Sequence, residues 1–168
     1  VSRNRLIYLI VVGVIIVLDQ FSKFIVRYYL PRDEIIRLFD GDLIWLVFIT
    51  NPGLAFGIRI IHPVILTVIA FIAAAGLGIF LFRTSSVPYR QGIPFALVMG
   101  GAIGNMIDRL IIGEVVDFIS VDMPDFIMSR WPVFNVADSA VSIGVACLIF
   151  FALFIRDRKT DGDVQENS

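Results

Sequence analysis

The chain is poor in the residues that most soluble enzymes rely on. A single cysteine, Cys147, stands among 168 residues, which excludes an internal disulfide and any site built from several cysteines. The single histidine, His62, leaves no pair for a zinc-protease motif. Charge is sparse: Asp, Glu, Lys and Arg make up 17% of the chain, against roughly 25% in soluble domains. The net charge of −1 removes the broad basic surface that a nucleic-acid partner requires. What is abundant is apolar. Residues of the set AVILMFWYC reach 58% before 13 glycines are counted, where soluble domains reach roughly 45–50% with glycine included. The mean hydropathy of +0.87 agrees. Such a chain belongs in a membrane.

Four stretches supply the roughly 20 apolar residues that a spanning helix needs: 6–30, 63–82, 92–112 and 136–155. The first is too long, and beyond Leu18 too charged, for a cleaved signal peptide. Residues 157–168 are polar and read as a disordered tail. The expectation is one membrane domain over 1–168, mainly α, a four-transmembrane-helix bundle. Four spans put both termini on one side, leaving 31–62 and 113–135 on the other. The positive residues divide seven (Arg3, Arg5, Arg83, Arg90, Arg156, Arg158, Lys159) against seven, so the positive-inside rule does not orient the chain.

Residues 31–62 are more than a linker. Asp40-Gly41 is a hairpin-type turn between Glu34–Phe39 and Leu43–Thr50, both rich in apolar and β-branched residues. This predicts a small antiparallel β-sheet at the membrane surface, whose apolar run Leu43–Ile49 needs a cover. Residues 113–135 read as a loop.

Each ionisable group in a bilayer costs roughly 2.5–3.5 kcal/mol on insertion scales, so each needs a reason. Asp19, Gln20, Lys23 and Arg27 fall in the second half of span one, and Asn105, Asp108 and Arg109 in the second half of span three. Asp117 follows that span; Asn135 and Asp138 open span four. In a four-span chain all of them reach the face that carries the hairpin. Snorkelling or helix capping explains any one of them, but not their convergence.

Local partners separate the acids. Asp19 and Lys23 are spaced i,i+4, acid first, which favours a pair and an orienting role. Asp108 sits beside Arg109, which suits binding a carboxylate or phosphate, or tying span three to its neighbours. Asp117 and Asp138 have no basic residue within four positions. The bland alternative makes Asp138 a helix cap and Asp117 a loop acid. Brought together in a poorly solvated place, two such acids share a proton, one activating water and the other polarising a carbonyl. Rival chemistries lack parts: a catalytic triad would need His62, just before Pro63 at the start of a span, and Cys147 lies among apolar residues. Two alternatives remain. A magnesium-dependent phospholipid transferase would use Asp117, Asp138, Asn105 and Asn135, and a proton-coupled carrier would use the two aspartates as a relay. Gly100, Gly101 and Gly104 offer either close helix packing or space for an acyl chain.

Five motifs occur in order: Asp19-Gln20-Phe21-Ser22-Lys23, Asn51-Pro52-Gly53-Leu54-Ala55-Phe56, Gly104-Asn105-Met106-Ile107-Asp108-Arg109, Val116-Asp117-Phe118 and Phe134-Asn135-Val136-Ala137-Asp138-Ser139. Together they closely resemble the bacterial lipoprotein signal peptidase family, signal peptidase II, over nearly the whole chain. The resemblance implies an aspartic endopeptidase of the bacterial cytoplasmic membrane, with no cofactor and no metal. Its substrates would be diacylglyceryl-modified prolipoproteins, cut before the lipidated cysteine. Its catalytic pair falls on Asp117 and Asp138, and its supporting residues on Asp19, Lys23, Asn51, Gly53, Asn105, Asp108, Arg109 and Asn135. It also implies cytoplasmic termini and an extracytoplasmic sheet and site, with membrane lipid as surroundings. The chain is read as a monomer. On this reading Asn105, Arg109 and Asn135 bond the substrate backbone, while Phe118, Phe134 and the span-three glycines house its acyl end.

Overall fold

A computed structural model of the chain describes residues 3–32, 34–39, 42–53, 62–83, 89–124 and 130–154. The Asp40-Gly41 turn, Leu54-Ala55-Phe56, the loop tip at 125–129 and the tail at 157–168 lie outside them. Four helices, α1 (Arg3–Tyr29), α2 (Pro63–Arg83), α3 (Tyr89–Ile112) and α4 (Val136–Phe154), are each long and apolar enough to cross a membrane. Most of their surface faces outward and is apolar, as at Val17, Phe21, Ile72 and Leu153, which suits lipid rather than water.

Helix α3 is the centre, packed against α1, α2 and α4. Its glycines explain how. A methyl on Gly101 would run into the Ala137 carbonyl oxygen, and one on Gly104 would sit 2.6 Å from an Asp19 carboxylate oxygen. Gly100 meets Ile15, and Gly144 of α4 would place a methyl 2.7 Å from the Pro94 oxygen. Small residues thus let the backbones touch. This settles the open alternative: the span-three glycines are packing, not acyl space. Tyr8, Val12, Leu81, Ala96 and Met99 fill the core beside them.

The sheet has three antiparallel strands in the order β1 (Ile35–Leu38), β2 (Ile44–Asn51) and β3 (Val115–Val121). The first two are the expected hairpin. The third corrects the reading of 113–135 as a loop. Gly113 ends α3 with φ +81°, a backbone turn that glycine adopts without strain, and the chain runs straight into β3. Val115–Phe118 are all buried, so the strand shows no polar-apolar alternation to betray it. Leu46 and Phe48 of β2 pack with Val116 and Phe118 on Val26 and Leu30 of α1, which covers part of the apolar run. Phe118 is therefore core rather than acyl site.

Candidate active site

The register places the first acid. Asn51 pairs with Val115 and Ile49 with Asp117, and then the ladder slips before Leu46 meets Ile119. Val47 and Phe48 so oppose the single residue Phe118, a bulge next to Asp117 of the kind that re-aims side chains. The second acid is placed by a helix start. Asn135 caps α4: its Oδ1 accepts from the Asp138 amide at 2.9 Å, and Asp138 Oδ2 accepts from the Asn135 amide at 3.3 Å. This is a reciprocal capping box with aspartate in the third position. The bland reading of Asp138 as a cap is half right. One carboxylate oxygen caps, while the residue also lines a cavity of about 400 Å³ that Asp117 shares.

Three asparagines hold the pair. Asn135 Nδ2 donates to Asp117 Oδ1 at 2.7 Å, and Asn105 Nδ2 donates to Asp138 Oδ1 at 2.7 Å. Asn51 Nδ2 reaches Asp117 Oδ2 at 3.1 Å. The amides cannot flip. Asn105 Oδ1 accepts from Lys23 Nζ at 3.0 Å and from Asn135 Nδ2 at 3.1 Å, and Asn135 Oδ1 is held by a backbone N–H. The Asn135 amide, with three acceptors around its two N–H bonds, is thus committed within the protein, whereas Asn105 lines the cavity and gives one N–H to Asp138. Among the described residues no lysine or arginine forms an ion pair with Asp117 or Asp138. Burial, and after it the neighbouring Asp138, push the Asp117 carboxyl up to about 6, against the pull of Asn51 and Asn135.

Behind them lies a second, fully buried layer. Lys23 Nζ sits 2.8 Å from Asp19 and 2.9 Å from Asp108, and all three side chains are 0–1% exposed. Gln20 donates to both acids at 3.1 Å. The i,i+4 pair expected in α1 is present, but Asp108 is paired with Lys23 and not with its neighbour Arg109. Each acid of this layer reaches one residue short of the cavity acids. Asp19 Oδ1 accepts from the Ala137 amide at 2.9 Å, and Asp108 Oδ2 from the Val116 amide at 3.1 Å. Ala137 precedes Asp138, and Val116 precedes Asp117. One buried ammonium thereby registers four elements, α1, α3, β3 and α4, around the pair.

Asn51, Gly53, Asn105, Arg109, Asp117 and Asp138 line the cavity. Asp19, Lys23, Asp108 and Asn135 lie behind it. Arg109 donates to the Gly53 oxygen at 3.4 Å, and its buried Nε has no hydrogen-bond partner among the described residues. Sequence reading did not single out several lining residues: Val115, Ile143, Ser139 and Ser142 of the strand and helix that carry the acids, and the wall Trp131-Pro132-Val133-Phe134, of which only Phe134 was expected. The i,i+4 spacing of Ser142 from Asp138 was the signal for that serine. Nothing local marked the wall.

A family described as signal peptidase (SPase) II matches residues 11–154. The chain belongs to the signal peptidase II family. Membership makes it a peptidase, and its four apolar helices make it a multi-pass membrane one. Curated relatives named "Lipoprotein signal peptidase" agree along the chain. That of Syntrophus aciditrophicus (strain SB) is 37% identical over 153 residues, covering 88% of this chain and 92% of the relative. That of Xanthomonas campestris pv. campestris (strain 8004) is 39% identical over 157 residues, covering 91% and 92%. Two solved structures, each described as a bacterial membrane enzyme, share the fold: one at TM-score 0.81 and 27% identity over 94% of both chains, the other at 0.74 and 29% over 91% of this chain and 94% of that one. The transferase and carrier alternatives find no support among the relatives of this signal peptidase II.

Proposed function

We propose that this signal peptidase II removes signal peptides from diacylglyceryl-modified prolipoproteins, cutting before the lipidated cysteine, with Asp117 and Asp138 as its catalytic pair. The observation that carries this is the pairing itself: two acids on one cavity, held by amides and, among the described residues, in no ion pair with a lysine or arginine. Such a pair keeps one proton between its members. The ionised member takes a proton from water while the water oxygen attacks the scissile carbonyl carbon. The protonated member donates to the carbonyl oxygen. Collapse of the tetrahedral adduct breaks the C–N bond: the amine leaves with the proton first taken from water, and one hydroxyl of the adduct returns its proton to the second acid, which restores the pair. Arg109, which lines the same cavity, supports the step with its positive charge, which stabilises the negative charge developing on the carbonyl oxygen. Asp19, Lys23 and Asp108 act through the backbone and through Asn105.

The cavity lining is both polar, with Asn51, Asn105 and the acids, and apolar, with Val115, Trp131, Pro132 and Ile143. A peptide end carrying acyl chains fits that lining. We place both termini in the cytoplasm, the sheet and cavity at the outer face, and the chain as a monomer in membrane lipid. In a Cys147→Ser background, Phe39→Cys should react with an impermeant thiol reagent in intact cells, and Arg83→Cys only after lysis. The same precursor with and without its lipid tests the substrate. About four methylenes buried at ~0.8 kcal/mol each make the lipid-free form about 200-fold slower. Equal rates would refute the lipid's role.

A further inference from the structure

The apolar wall of the cavity, Trp131–Phe134, hangs from the sheet at its two ends. Phe134 exchanges backbone bonds with Ile119, donating at 3.0 Å and accepting at 2.8 Å. At the other end the Trp131 amide donates to the Val121 oxygen at 2.8 Å. Pro132, between them, has no N–H to give. What secures the Trp131 end is the side chain before it. Arg130 Nε donates to Ser120 Oγ at 2.8 Å, Nη2 to the Ser120 oxygen at 3.0 Å and Nη1 to the Asp42 oxygen at 2.9 Å. The same Nη1 lies 3.6 Å from Asp122, and the guanidinium carbon lies 3.6 Å from the centroid of the Trp45 ring. Trp45 and Ser120 are direct partners across β2 and β3, so the planar group lies over a single rung of the sheet. All three guanidinium nitrogens are engaged. The arrangement needs a planar fork that also stacks on an aromatic face, which an ammonium cannot supply.

We propose that Arg130 is a positioning residue for substrate binding: it clasps the Trp131 end of the wall to the Trp45–Ser120 rung and so fixes an apolar part of the lining of the cavity that the acids share. It touches neither acid, and it is no part of the layer built on Lys23. Its effect therefore falls on the affinity for the apolar part of the substrate and spares the proton chemistry. This inference rests on the peptidase reading above.

The experiment compares wild type with Arg130→Met, Arg130→Lys and Ser120→Ala, using a purified diacylglyceryl-modified prolipoprotein as substrate. Arg130→Met should raise KM about tenfold, the order expected when charge-assisted hydrogen bonds that order a binding wall are lost, with kcat and the pH profile unchanged. Arg130→Lys should fail to restore KM. Ser120→Ala, which removes one acceptor and leaves the arginine, should raise KM by a smaller factor. Hydrogen exchange at the Trp131 amide should quicken in Arg130→Met while that at Phe134 stays slow, and this readout needs no activity. A wild-type KM in Arg130→Met overturns the proposal, as does a fall in kcat at constant KM, or rescue by lysine. If wild type itself does not cleave, the peptidase reading fails. The exchange rates then decide the clasp alone: quickening at Trp131 upholds it, and no change overturns it.

Discussion

Asp19→Asn separates structural acids from catalytic ones. Asp19 is fully buried, and its two oxygens receive Lys23 Nζ at 2.8 Å, the Ala137 amide at 2.9 Å and Gln20 at 3.1 Å. An asparagine keeps one acceptor and turns an N–H₂ toward donors, so at least one of these partners is orphaned. Removing one member of a buried ion pair costs roughly 3–5 kcal/mol. Lys23 retains Asp108, which puts the expected loss near the lower end, about 3 kcal/mol. Asp117→Asn is the control. That residue is also buried, but its partners are amides and the charge that acts on it most is another acid, so losing a hydrogen bond of about 1 kcal/mol is offset by removing a desolvated charge. The assay is reversible unfolding in mixed detergent micelles, with both variants measured against wild type. Stability should fall clearly in Asp19→Asn and stay within about 1 kcal/mol of wild type in Asp117→Asn. If Asp19→Asn is as stable as wild type, or Asp117→Asn loses as much, the division into a structural layer and a catalytic pair is wrong.

The Asp117 carboxyl, pushed up to about 6, holds its proton until pH rises through that value, and above it Asp117 has given that proton up. The plot of kcat/KM should therefore fall on its alkaline side with a midpoint at or above about 6, and a flat profile from about pH 5 to about pH 9 would contradict it. Gly101→Ala and Gly144→Ala should each cost about 1–3 kcal/mol through overpacking. Gly13→Ala and Gly76→Ala, where an added methyl meets nothing within 4 Å, should instead be neutral or gain about 0.5–1 kcal/mol, all read by the same unfolding assay.

The parts legible in sequence were those written in short range. Apolar runs gave the four spans, a turn dipeptide gave the hairpin, and i,i+4 spacing gave Asp19 with Lys23. Long-range partners left no local trace. Asp108 stands beside Arg109 in sequence, yet its ion-pair partner is Lys23 of another helix. Strand β3 was hidden because its residues are buried on both faces, between sheet and helices. Asn135 read as a substrate donor, but a capping asparagine with one amide to spare becomes a strut when β3 passes beside it. The role of Arg130 depends on a stacking partner some eighty positions away in the chain, and no periodicity encodes that.

The most direct test of the central claim is product mass from purified protein incubated with a diacylglyceryl-modified prolipoprotein, for wild type, Asp117→Asn and Asp138→Asn. Wild type should yield two products that meet at the bond before the lipidated cysteine, with a rate indifferent to chelator. Each variant should lose about 10³-fold or more while remaining folded, since an amide cannot exchange the proton that hydrolysis requires. Near-normal turnover in either variant, or cleavage at a different bond, would contradict the account.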